Sequence, residues 1–74
     1  MISKVLNFPP HQRRVVLEAF ELQDKTDKLG AFLQTPAFLM IDLTEQGRLQ
    51  TQHGAMTEYL HVLDDRLASF EVPK

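Results

Sequence analysis

Two long stretches of this chain repeat apolar residues at alternating spacings of four and three, and a threonine–proline break divides them. The first repeat runs through Val15, Ala19, Leu22, Thr26, Leu29 and Leu33. The second runs through Leu49, His53, Met56, Leu60, Leu63, Leu67 and Phe70. Such spacing puts every member on one side of an α-helix and holds it there over many turns, whereas a strand needs alternation by two. The pattern predicts an all-α chain with helix one over about 10–34, a connector over about 35–44 and helix two over about 45–70.

The boundaries carry their own chemistry. Pro9-Pro10 suits a helix start, because the N–H that proline lacks has no partner in the first turn. Thr35-Pro36 reads as a second cap followed by proline, and Phe38, Leu39, Met40, Ile41 and Leu43 form an apolar cluster too short for a full helix. The expectation is a helical turn folded over the end of the molecule. Asp42 or Thr44 is the expected cap of helix two, with Glu45 near its positive end. Val72-Pro73 ends the pattern.

Two helices of about 25 residues span about 37 Å each, and a short connector makes them antiparallel neighbours crossing at about 20°. In such a hairpin, turning near residue 40, positions whose numbers add to about 80 face each other. The outer face of helix one carries Glu18, Glu21, Asp24, Lys25, Asp27 and Lys28, with Glu21–Lys25 and Asp24–Lys28 spaced as favourable ion pairs.

A lone hairpin of 74 residues buries little, and without cysteine it has neither a disulfide nor a thiolate metal site to hold it. Val16 and Phe20, with Tyr59 and Val62, form apolar stripes beside the seam that need a cover. Self-association into a homo-oligomeric helical bundle supplies one. The alternative is a compact monomer covered by Phe8 and the Phe38–Leu43 cluster.

The formal net charge of −2 argues against bulk nucleic-acid binding, which needs a basic surface. No run approaches the apolar length of a transmembrane helix, and Met1–Asn7 is too short and polar for a signal peptide, so the expected location is the cytoplasm.

Catalytic parts are missing from the pattern. There is no cysteine, no serine elbow and no glycine-rich phosphate loop, so the chain is expected not to be an enzyme and to need no cofactor. Gly30, Gly47 and Gly54 stand alone inside helical patterns, where each costs about 1 kcal/mol relative to alanine. They signal either close helix approach or tolerated substitution. His11, His53 and His61 do not converge as metal ligands, and His53 falls in the seam as a polar register position. Asp64 and Asp65 point about 100° apart and read as surface charge.

The folded hairpin brings Arg14 to the level of Arg66, with Arg13 and His11 close by at the open end. Guanidinium forks suit phosphate and carboxylate oxygens. The functional reading is a phosphate or nucleotide site with Tyr59 and Phe8 as stacking partners; the structural reading is pairing with Glu18, Asp64 and Asp65.

Gln12-Arg13-x-Val15-Val16-x-Glu18, followed by Glu21-Leu22, Lys28-Leu29, Phe32, Phe38, Leu43, Glu45-Gln46, Leu49, Gln52, Met56, Tyr59, Leu63 and Arg66-Leu67, resembles a family of small uncharacterised proteins of tailed phages and prophages, first labelled after a crAss-like phage. The resemblance implies a phage origin and action in the host cytoplasm. In architecture the chain is also similar to phage helical-hairpin sponges that assemble into rings and sequester cyclic-nucleotide immune signals, although their binding motifs do not match it residue for residue. Three functions follow as expectations. One is a sponge for a small anionic nucleotide, built on His11, Arg13, Arg14, Tyr59 and Arg66. The second is a protein-binding inhibitor or adaptor that meets a host defence protein. The third is a DNA-associated regulator, which the acidic charge disfavours.

Overall fold

A computed structural model describes residues 8–70. The opening seven residues and the Val72-Pro73 ending lie outside them. Three helices follow in order: α1 (Pro10–Phe32), α2 (Pro36–Leu39) and α3 (Leu43–Ala68), with α1 and α3 packed antiparallel. The short element α2 is the expected turn in the connector.

Each boundary has a local cause. Pro9 precedes α1 and Pro10 occupies its first turn. At α2, the Thr35 hydroxyl oxygen accepts from the Phe38 N–H at 3.4 Å. Asp42 is the cap of α3, its carboxylate accepting from the Thr44 N–H at 3.1 Å, so α3 starts two residues before the expected Glu45. The Gln46 amide donates to the Ile41 carbonyl at 2.8 Å and ties the connector to the first turn of α3.

The core lies toward the open end of the hairpin. Val15, Ala19 and Leu22 of α1 meet Leu60 and Leu63 of α3, and Met56, Leu67 and Phe70 pack around them. Leu63 has no exposed surface at all. Thr26 extends the buried seam, and its hydroxyl donates to the Leu22 carbonyl at 2.6 Å, so no polar group is left unpaired there. Phe8 closes the open end against Phe70, edge to face at 6.0 Å between ring centres.

Toward the connector the seam thins. Leu29, Leu33, Leu49 and His53 are only half-buried. Phe38 packs edge to face on Phe32 at 6.1 Å and is buried, as the expected cover of that end. Its neighbours Leu39, Met40 and Leu43 instead face solvent. The apolar cluster is therefore split: one ring anchors the turn and the aliphatic residues remain outside.

The two stripes beside the seam also part ways. Val16 is buried, but Phe20 is 70% exposed and Leu17 60%, and Tyr59 and Val62 are exposed as well. Phe8 and α2 thus do not form the cover proposed for the compact-monomer alternative over Phe20.

Candidate functional site

The five residues singled out for anion binding take different positions. His11, Arg14, Tyr59 and Arg66 are exposed, and Arg13 is half-buried. His11, Arg13 and Arg14 all belong to the first two turns of α1, whose first turn carries no acidic residue and whose N-cap makes no side-chain hydrogen bond. The positive end of the helix dipole therefore adds to their charge. Arg66 sits in the last turn of α3, at its negative end, where a cation also stabilises the helix for purely structural reasons.

Helix geometry sorts these residues by flank. At about 100° per residue, Arg14 is turned away from Arg13 by a little more than a quarter of a turn, while His11, three residues earlier, stays beside Arg14. On α3, Tyr59 and Arg66 are seven residues apart and share one stripe. The hairpin register follows from Gly30, which lies against His53. Measured from that level at 1.5 Å per residue, Arg14 and Arg66 come within about one helical turn of each other along the hairpin. Tyr59 lies about 10 Å from Arg66 along α3, toward the connector.

Among the described residues, the ion pairs are Asp24–Lys28 at 2.9 Å and Glu45–Arg48 at 3.2 Å. Neither involves Arg13, Arg14 or Arg66, and the second expected pair, Glu21–Lys25, is not formed. Pairing with Glu18, Asp64 or Asp65 is thus not what occupies these arginines among residues 8–70. No group of three His, Asp or Glu side chains able to hold a metal occurs among the described residues. No helix there is long and apolar enough to cross a membrane.

A groove opens on the other flank of the hairpin. It encloses about 390 Å³, counting open solvent, and is lined by Ala19, Phe20 and Gln23 of α1 and Leu60, Asp64 and Leu67 of α3. None of the five residues singled out for anion binding lines it. At about 100° per residue, Arg66 lies roughly half a turn around α3 from Asp64, so the groove and the Arg14–Arg66 pair of residues occupy opposite flanks. The seam pattern alone did not disclose this groove. Of its lining residues, Ala19, Leu60 and Leu67 belong to the 4-3 seam, while Phe20, Gln23 and Asp64 lie outside it.

The sequence model of a family described as Sequestin matches residues 9–69. The chain belongs to the Sequestin family. The matched span holds all of α1, α2 and α3 and all five residues singled out for anion binding, while Phe8 and Phe70 lie just outside it. An uncharacterized 7.5 kDa protein from the denB–rIIB intergenic region of Enterobacteria phage T4 is 34% identical over 61 residues, covering 82% of this chain and 95% of that relative. No solved structure matches the chain. The family and this relative establish a small phage-associated protein.

Proposed function

We propose that this protein is a non-catalytic phage counter-defence factor that sequesters a cyclic-nucleotide-type immune signal in the host cytoplasm, acting as a homo-oligomer. The reading is carried by Arg14 and Arg66, which come within about one helical turn of each other along the hairpin, measured from the Gly30–His53 contact. Both are exposed and neither is bound to a carboxylate among the described residues. Two guanidinium forks near the open end, one from each long helix, suit two phosphate groups or a pyrophosphate. His11 beside Arg14 offers a further donor, and Tyr59 offers a ring at about the reach of a nucleotide base from its phosphate. The family name points to sequestration, and the phage T4 relative supports the phage context.

Binding without turnover is the proposed chemistry: the ligand is removed from circulation and leaves unchanged when the protein is denatured. Calorimetric titration with a cyclic nucleotide that binds should show affinity lost in Arg66→Ala while helicity is kept. Unchanged affinity removes Arg66 from the site.

A second reading is a protein-binding inhibitor or adaptor. It is favoured by Leu39, Met40 and Leu43, which stand exposed side by side at the connector, Met40 at 86%. Exposed apolar residues grouped in this way mark surfaces that meet a partner. That reading predicts a host protein co-purifying with the chain and released by Met40→Asp.

A further inference from the structure

The groove flank of α1 carries a pattern that is its own complement. Arg13, Phe20 and Asp27 are spaced by seven residues on both sides, so they lie on one stripe in the order positive, aromatic, negative. Phe20 is 70% exposed, although it borders the apolar groove formed by Ala19, Leu60 and Leu67. Leu17, one turn away, is also largely exposed. Asp27 accepts only the Gln23 amide, at 2.9 Å, and neither Arg13 nor Asp27 has an ion-pair partner among the described residues.

We infer that this flank is the contact between two copies of the chain, related by a twofold axis through the level of Phe20 with their α1 helices antiparallel. Because Arg13 and Asp27 lie at equal distances from Phe20, about 10 Å at 1.5 Å per residue, that arrangement sets Arg13 of each copy against Asp27 of the other. The Phe20 ring of each copy then seats in the other's groove, against Ala19, Leu60 and Leu67. Reversing one helix to a parallel alignment would oppose like charges, so the stripe selects the antiparallel dimer.

The molecule measures 52 × 18 × 15 Å, and the contact is centred on the Arg13–Asp27 length of α1. A chain this small also has the most to gain from added apolar burial. The other flank, with Arg14, Arg66, His11 and Tyr59, stays open to solvent on both copies. The inference rests on the self-association in the proposed function but not on its ligand.

The test is sedimentation velocity on the full chain over a range of concentrations, with Arg13→Asp, Asp27→Arg, Phe20→Ser and an equimolar mixture of the two charge variants. The wild type should be a dimer. Each charge reversal alone should weaken it at least about 10-fold, because like charges then face each other twice. The mixture should regain the dimer, since the carboxylate introduced in one chain then meets the guanidinium introduced in the other. Phe20→Ser should be monomeric with unchanged helicity, because the side chain it removes is mostly exposed in the monomer. A monomeric wild type overturns both the interface and the self-association. A dimer indifferent to all three variants overturns this interface alone. Ligand uptake by a monomer would leave the sequestering role standing.

Discussion

Gly30 and His53 face each other across the hairpin so closely that a Cβ placed on residue 30 would lie 3.0 Å from His53 Nε2. Glycine at this point admits the imidazole between the helices, and the half-buried ring fixes the level at which α1 and α3 meet. Alanine in a helix is favoured over glycine by about 1 kcal/mol, but here that gain is set against the imidazole contact. Gly30→Ala should therefore be neutral or destabilising in the wild type and should become stabilising by about 1 kcal/mol once His53→Ala is also present. Urea unfolding of the four proteins in this double-mutant cycle measures the coupling. Additive effects would mean that the contact carries no weight.

Gly47 and Gly54 provide the contrast, because a Cβ at either meets nothing within 4 Å. Gly54→Ala should raise stability by up to about 1 kcal/mol through helix propensity alone. Thermal unfolding should show the higher midpoint, and a loss of stability would point to a contact of residue 54 that the single chain does not contain.

Leu63 is the side chain on which the core depends most, being wholly enclosed among Val15, Ala19, Leu22 and Leu60. Leu63→Ala should cost about 2–5 kcal/mol, a large share of what a domain this small holds. Thr26→Val should be nearly silent by comparison, because the hydroxyl it removes bonds only the Leu22 carbonyl of its own helix. Circular dichroism with denaturant separates the two. Equal losses would place the centre of the core nearer the connector than the structure has it.

Much of this architecture was legible in the spacing of the apolar residues. The 4-3 repeat marks the inward side of each helix, and Val15, Ala19, Leu22, Thr26, Leu60 and Leu63 are indeed the buried set along the seam. Proline and the threonine and aspartate caps marked the breaks to within about two residues. Periodicity does not tell which flank of a helix pair is covered. Val16 and Phe20 both stand outside the seam in sequence, yet one is buried and the other exposed. The thinning of the seam near His53 was hidden for a related reason: a residue on the correct side is buried only as far as its opposite number has bulk, and Gly30 has none.

The placement of the arginines was legible only in part. Antiparallel pairing brings Arg14 and Arg66 to within about one helical turn of each other, and that follows from chain length and turn position. The separation of Arg13 onto the groove flank follows from helix pitch and appears only when neighbouring residues are placed by angle. Arg14→Lys should bind a phosphate-bearing ligand more weakly than the wild type but better than Arg14→Ala, since lysine keeps the charge and loses the fork. Titration at two salt concentrations should also show weaker binding at the higher one. Equal affinity of the lysine and alanine variants would mean that charge at residue 14 does not serve the ligand.

Native mass spectrometry tests whether a self-associated hairpin sequesters an intact signal. The purified protein would be measured alone and with a panel of cyclic dinucleotides, cyclic trinucleotides and cyclic ADP-ribose isomers. The expected result is a defined oligomer that gains whole-number ligand masses, with the ligand recovered unchanged after denaturation. An oligomer that stays ligand-free across the panel, or a ligand recovered in cleaved form, would contradict it.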